Sequence, residues 1–187
     1  YTATDSMHGG CGASMAAIRA GVKVVQGWDI GPHAVQVFEC LTGAGSLGNI
    51  CNIALHRLRW TSIFMSSTVC GPYSDGSRHT PGGQRGSNSK NGELFVHQFE
   101  WAHATRARAV VLEQVIGVLT LNNGEALHRL FASALEMGFA EPLFEIAFMA
   151  LFGSPDNRIR LSVVAFDNQV ELAAPFEFPT PPLTRKD

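Results

Sequence analysis

Residues 2–29 read TATDSMHGGCGASMAAIRAGVKVVQGWD, and the pattern of this stretch decides the fold. Residues 2–7 form a short strand-like run that enters a turn of nearly bare backbone, Gly9-Gly10-Cys11-Gly12. Residues 13–20 are small and apolar enough for a helix, and Gly21 is placed as its stop. Residues 22–25 carry β-branched side chains for a second strand, which runs on through Gly27 and Trp28 to Asp29. Strand, glycine turn, helix, strand and acid together make the generic opening of a nucleotide-type site. The glycines let a ligand approach the backbone, and the acid accepts hydrogen bonds from ribose hydroxyls. Taken alone, the turn is equally compatible with a purely structural role, and Asp29 with a helix cap ahead of Pro32.

Outward from that stretch the alternation continues. Pro32 opens a helix over residues 33–41 that ends at Gly43. Residues 62–65 form another apolar run, followed closely by Cys70. Residues 71–92 hold six glycines, two prolines and four serines, which predicts a long loop of the kind that carries function. A helix is expected over 93–105 and a strand over 109–112, ending at Glu113. Asn123 is placed to cap a helix reaching Glu136, with Leu127, Leu130, Phe131 and Ala134 on one face and Gly138 as its stop. Residues 139–149 and 161–166 read as two more strands, and the Pro-rich stretch beyond Val170 has no periodicity. This order predicts an α/β fold, a doubly wound and mostly parallel sheet with helices on both faces. Residues 1–170 make one domain in this reading, and 171–187 a tail or the start of a further segment. In such a sheet the ligand site lies beyond the carboxyl ends of the strands, where Gly9–Gly12, Asp29, Asn49, Cys70 and Glu113 fall.

Composition narrows the classes. With 45% hydrophobic and 16% charged residues, the 187-residue chain has the make-up of a globular domain large enough for its own core. No apolar run approaches the ~20 residues of a membrane span. The polar, Gly-rich first ten residues do not resemble a signal peptide, so the reading is intracellular: nucleus in a eukaryote, cytoplasm in a prokaryote. The chain opens on Tyr1, not on Met, and is expected to be a piece of a longer protein. The four cysteines, Cys11, Cys40, Cys51 and Cys70, form no CxxC pair and have no histidine at zinc-finger spacing, which argues for reduced thiols and no metal. A net charge of -2 gives no electrostatic sign of a nucleic-acid partner, although eleven arginines against three lysines favour forked donors for phosphates and bases.

One segment fixes a family. Thr68-Val69-Cys70-Gly71-Pro72-Tyr73-Ser74 resembles the Pro-Pro-Cys-Gln-x-Phe-Ser signature of the DNA (cytosine-5)-methyltransferases, in which a mobile Gly-rich loop follows. Met7-His8-Gly9-Gly10-Cys11-Gly12 is similar to that family's Phe-x-Gly-x-Gly-Gly motif, and Asp29-Ile30-Gly31-Pro32-His33-Ala34, preceded by Trp28, to its Glu-x-Asp-Pro-x-Ala. Gly48-Asn49-Ile50 stands for Gly-Asp-Ile, Glu113-Gln114-Val115 for Glu-Asn-Val, and Asp156 through Arg160 for Gln-x-Arg-x-Arg. The six motifs fall in the family's order and spacing between Asp5 and Phe166, which is far more specific than any one of them.

The resemblance implies a function. S-adenosylmethionine would lie against Met7, Gly9, Gly12, Asp29, Ile30, Asn49 and Ile50. Cys70 would add to C6 of a cytosine flipped out of DNA, which makes C5 enamine-like and able to take a methyl group. Glu113 would act at N3, and Arg160, with Arg158 beside it, would hold O2 and orient the set. The loop over 71–92, with Arg78, Arg85 and Lys90, would close over the DNA. Cys70, Glu113 and Arg160 are therefore expected at neighbouring strand ends of one cleft.

Each of these residues also has a plainer reading: a buried filler cysteine, a Glu paired with an Arg, arginines alternating outward on a strand. Several positions depart from the family pattern. Met7 replaces Phe, Asn49 replaces Asp, Val69 and Gly71 flank the cysteine, Gln114 replaces Asn and Asp156 replaces Gln. Cys11 stands where a glycine is usual, and its side chain would crowd the turn if φ is positive. Nothing after Phe166 resembles the family's recognition region or its last two motifs. Two alternatives stay open beside an active enzyme. One is an inactive methyltransferase-like module that keeps the cofactor or DNA surface as a binding platform. The other is a methyltransferase for RNA or a small molecule on the same sheet, which leaves the Cys–Glu–Arg set unexplained.

Overall fold

The computed structural model describes residues 1–74 and 86–182. Six strands build one sheet: β1 (Thr2–Ser6), β2 (Lys23–Trp28), β3 (Ile63–Ser67), β4 (Ala109–Val115), β5 (Leu143–Phe148) and β6 (Ile159–Phe166), in the spatial order β2-β1-β3-β4-β6-β5. The pairs β1/β2, β1/β3 and β3/β4 are parallel, while β6 runs antiparallel to both β4 and β5. Strand order reverses at β1, so the crevice for a ligand opens at the carboxyl ends of β1 and β3. Because β6 is reversed, its first residues join that same edge, with Arg160 opposite Val115.

Alternation along the strands divides the core. Phe64, Val110 and Leu112 face one layer, where α3 (Lys90–Val96), α4 (Gln98–Ala104) and α6 (Glu125–Glu136) pack. Ala3, Val24 and Met65 face the other, covered by α1 (Gly12–Arg19) and α2 (Pro32–Thr42). The sheet is thus doubly wound, as its alternating elements predicted. Among the described residues no helix is long and apolar enough to cross a membrane, and no group of three His, Cys, Asp or Glu side chains is placed to hold a metal ion.

The differences from the sequence reading are local. The second strand starts one residue later than expected, at Lys23, and runs through Gly27 to Trp28 as expected, along the ladder that β1 offers it. The expected single helix over 93–105 begins earlier and breaks at His97 (ψ 6°), giving α3 and α4. The start of α3 was hidden inside the Gly-rich span. Ser89 caps it by accepting from Gly92 N–H, and a Cβ on Gly92 would stand 1.8 Å from Gly86 O, so this glycine marks close packing. Arg78 and Arg85, expected to close over DNA, lie outside the described residues.

Asn123 does not cap α6. It adopts a left-handed conformation (φ 56°) and Gly124 takes the cap position, after a short α5 (Gly117–Thr120) that propensity did not reveal. The amphipathic face of α6 is as expected, with Leu127, Leu130 and Ala134 buried and Phe131 packed beside them. The strand expected over 139–149 shortens to β5, since Phe139 makes a single bridge to Asp167.

Candidate active site

The turn after β1 is held by hydrogen bonds that the sequence only hinted at. Cys11 has φ 60° and precedes α1 without a side-chain cap. Its side chain is wholly buried, with Sγ 3.8 Å from Gly9 O and 3.9 Å from His8 Nδ1. The crowding expected of a side chain there is accommodated by turning it into the core under α1, at the conformational cost of a left-handed residue, ~1 kcal/mol. His8 stacks on Phe38 (4.3 Å between ring centroids) and its Nε2 lies 3.1 Å from Ser46 Oγ. Burial holds its pKa below the usual histidine value.

The missing cap of α1 comes from β1. Ser14, in the first turn, donates both its backbone N–H (3.0 Å) and its hydroxyl to Asp5 Oδ2. The other oxygen, Oδ1, has no hydrogen-bond partner among the described residues. Burial pushes the Asp5 carboxyl up from 3.8 to about 6, against the opposing pull of the Ser14 hydrogen bonds. The unfolded carboxyl therefore ionises near pH 4 and the folded one near pH 6. Between these values the folded state holds more protons, so Asp5 makes stability fall as pH rises, by about 3 kcal/mol in all. Urea unfolding at pH 4 to 7 should show that decline, and Asp5→Asn should remove it. An unchanged slope in the variant would assign the pH dependence elsewhere.

Asp29, just past β2, uses both carboxylate oxygens on backbone. Gly9 N–H donates to Oδ2 (3.0 Å) and Gly31 N–H to Oδ1 (2.8 Å). It does not cap α2, whose cap residue is Gly31. Each carboxylate oxygen keeps a second lone pair for an incoming hydroxyl. Asn49 Oδ1 accepts from Cys51 N–H (3.0 Å) and so shapes the turn that carries Ile50. Met7, Trp28, Asp29, Ile30, Asn49 and Ile50 line a cavity of about 170 Å³, shared with Gly48, Val69, Asn91 and Leu94. Gly9 and Gly12 lie in the adjoining turn and do not line it. A Cβ at Gly10 or Gly12 would meet nothing within 4 Å, so the turn borders open space. The sequence reading missed Val69, Asn91 and Leu94. Asn91 and Leu94 ride on the hidden start of α3, and Val69 was noted only as a departure.

The neighbouring strand ends carry the other group. Cys70 follows β3, is exposed, and opens a 3-10 turn, Gly71–Tyr73, whose Tyr73 is buried and donates its hydroxyl to Gly92 O (2.9 Å). Burial pushes the Tyr73 phenol well above its ordinary pKa. Ser67 pairs with Glu113 across the β3/β4 ladder. One residue on, Gln114 Nε2 donates to Thr68 Oγ1 (2.6 Å), tying the strand that leads to Cys70 against β4. Glu113 Oε1 and Arg160 Nε form an ion pair at 2.6 Å, diagonally across β4 and β6. A second Arg160 donor reaches Ile159 O. Arg158 instead pairs with Asp156 of its own turn, which holds that carboxyl below the usual range through their hydrogen bond. The structure thus brings Glu113 and Arg160 into contact, sets Cys70 beyond the adjacent strand end, and turns Arg158 aside to Asp156. Next to them a cavity of about 660 Å³ is lined by Tyr73, Ser74, Ile116, Phe148, Ile159 and Arg160, among others.

A doubly wound sheet with a cleft at its switch point, an exposed thiol after β3 and a Glu–Arg ion pair on the neighbouring strands define an α/β protein whose ligand-binding edge lies beyond the strand ends. A profile described as C-5 cytosine-specific DNA methylase matches residues 2–186, and the chain belongs to that family. The type II methyltransferase M.DsaV of Dactylococcopsis salina is 22% identical over 161 residues, 86% of this chain and 44% of that protein. The sheet is the Rossmann-like fold of S-adenosylmethionine-dependent methyltransferases. A crystal structure of a Spodoptera frugiperda DNMT2 mutant superimposes with a TM-score of 0.70 at 17% identity, covering 100% of this chain and 55% of that one. The Entamoeba histolytica methyltransferase EhMeth gives 0.68 at 14% identity, covering 99% and 57%. The chain therefore spans about half the length of the relatives it matches.

Proposed function

We propose that this chain serves the transfer of a methyl group from S-adenosylmethionine to C5 of cytosine in DNA, with Cys70 as nucleophile toward a base flipped from the duplex. The observation that carries this reading is an adjacency. Val69 lines the cavity of Asp29 and Asn49, the next residue, Cys70, is exposed, and the strand it follows pairs with the one that carries Glu113. A cofactor seated at the first group would thus end against the second.

The donor set fits the cofactor. Asp29 offers acceptors to ribose hydroxyls, Asn49 faces the same cavity with an amide, and Ile30, 78% exposed, offers an apolar flank to a purine. At about 170 Å³ the cavity is below the ~300–1,000 Å³ of whole-ligand pockets, so it would take the nucleoside part, with the rest along the open turn. When bound, the sulfonium supplies an electrophilic methyl group. The chain's own residues do the remainder. The Cys70 thiolate forms a bond to C6 as the C5=C6 π pair shifts toward C5 and the ring. Glu113 supplies the proton or hydrogen bond that N3 needs as charge develops there. Arg160, with guanidinium donors beyond those used on Glu113 and Ile159, would hold O2 and fix Glu113. The electron pair at C5 takes the methyl group as its bond to sulfur breaks, the cofactor leaving as a neutral thioether; loss of the C5 proton to water then returns an electron pair that expels the Cys70 thiolate.

The direct test is transfer of a labelled methyl group from S-adenosylmethionine to cytosine-containing DNA, with the label recovered on C5. The cofactor site is tested separately by calorimetric titration. Asp29→Ala should weaken S-adenosylmethionine binding at least tenfold, about 1.4 kcal/mol. Ile30→Ala should weaken it several-fold without touching stability, since that side chain is in water in the free protein. Equal heats from all three proteins would count against the cofactor assignment.

A further inference from the structure

A third cavity, of about 720 Å³, opens at the opposite ends of the strands and is unrelated to the edge just described. His56, Trp60, His103, Arg106 and Asp167 are among its lining residues. Trp60 precedes β3, Arg106 precedes β4 and Asp167 follows β6, so the cavity lies one strand length, on the order of 15 Å, from Glu113. Arg106 occupies the left-handed position after α4 (φ 54°), where glycine is the unstrained choice. An arginine there places its guanidinium 3.6 Å from the centroid of the Trp60 ring. Trp60 is nevertheless 66% exposed, so the face away from Arg106 is open to solvent. Gln26 anchors the segment beneath, its amide bonding both Arg59 O (2.7 Å) and Arg59 N (2.9 Å).

Arg106 lines this cavity, and three more arginines lie within three residues of Trp60 or Arg106 in the chain. Arg57, Arg59, Arg106 and Arg108 are all exposed, in the two segments that lead into β3 and β4. None of them has a carboxylate partner among the described residues, whereas Arg129, Arg158 and Arg160 each do. The chain as a whole is at net charge -2, so this pole is a local cationic surface on a mildly acidic protein.

We propose that this pole binds a single-stranded nucleic-acid segment, with a base stacked on the open face of Trp60 and its phosphates on the surrounding arginines. Unpaired guanidinium groups beside an exposed indole are the combination that holds phosphates and base faces together. A duplex does not present a base face to such a ring. An acidic polypeptide would leave the indole face unused and would meet the Asp167 carboxylate, which a base can instead use as an acceptor for its N–H groups.

The test uses the whole 187-residue chain and an oligothymidylate of about a dozen nucleotides, which offers the opposite edge no cytosine. Trp28 and Trp101 are buried, so quenching of tryptophan emission reports on Trp60. Saturable quenching is expected, with an affinity that falls with salt at a log–log slope of about -3, as four phosphate contacts on a single strand require. Trp60→Phe should keep binding, read by anisotropy of a labelled strand, and lose the quenching. Arg106→Ser with Arg108→Ser should weaken binding at least tenfold and about halve the slope, with S-adenosylmethionine affinity unchanged. No binding, binding indifferent to these substitutions, or tighter binding of poly-glutamate would each overturn the proposal. None of those outcomes bears on the chemistry at Cys70.

Discussion

Wild-type protein is expected to form a covalent complex with DNA containing 5-fluorocytosine in the presence of S-adenosylmethionine, and Cys70→Ser to abolish it. Fluorine at C5 cannot leave as a proton does, so the Cys70–C6 thioether persists and the complex survives a denaturing gel. A hydroxyl is a far weaker nucleophile at neutral pH, and loss of methyl transfer by at least ~10³-fold should accompany loss of the band. The assay must be mechanism-based because Cys40 and Cys51 are exposed as well as Cys70, so a general thiol reagent would label all three. Cys40→Ala and Cys51→Ala should leave the complex intact. Cys11→Ala should do so too, although it disturbs packing, since Cys11 is wholly buried under α1. Cofactor binding by a wild-type protein that forms no complex would favour the binding-platform alternative. The changes flanking the thiol, Val69 and Gly71, would then be the first suspects.

The readable and unreadable parts of this chain differ in physical origin. The strand–turn–helix over residues 2–29 was legible because β-branched runs, glycines and a terminal acid are each local signals, and the ladder from β1 to β2 agrees with them. The Glu113–Arg160 contact was legible only through the resemblance, since it joins residues 47 positions apart that a reversed β6 makes neighbours. What failed did so where tertiary contacts override composition. Gly86–Gly92 reads as loop, yet Ser89 and the close approach at Gly92 start a helix there. Asn123 has the chemistry of a cap, but the chain reaches α6 through consecutive left-handed residues, Asn122 to Gly124, and only the last is placed to cap. Asp5 stood in the sequence as an ordinary strand residue. Its role as the cap of α1 required knowing that Ser14 returns beneath it.

Glu113→Gln and Arg160→Ala should each lower the rate of methyl transfer by ~10²- to 10⁴-fold while leaving S-adenosylmethionine affinity within about twofold, as the proposed action at the base and not at the cofactor requires. The stability cost should be small. Glu113 is 40% and Arg160 23% exposed, and a pair screened to that degree contributes ~1 kcal/mol or less. Large rate losses beside a nearly unchanged urea midpoint would separate a role in the reaction from a role in holding β4 to β6. The double variant sharpens this. If Arg160 acts chiefly by orienting Glu113, its loss should add little once Glu113 is gone, and the two effects will be strongly non-additive. If Arg160 acts independently on the base O2, the losses should approach additivity, and Arg160→Lys, which keeps charge without the fork, should recover a fraction of the rate. Arg158→Ala provides the contrast: its guanidinium is engaged by Asp156, so a loss below tenfold is expected. A loss as large as that of Arg160→Ala would mean that Arg158 leaves Asp156 when the base arrives, and would assign the contact to O2 to Arg158 instead.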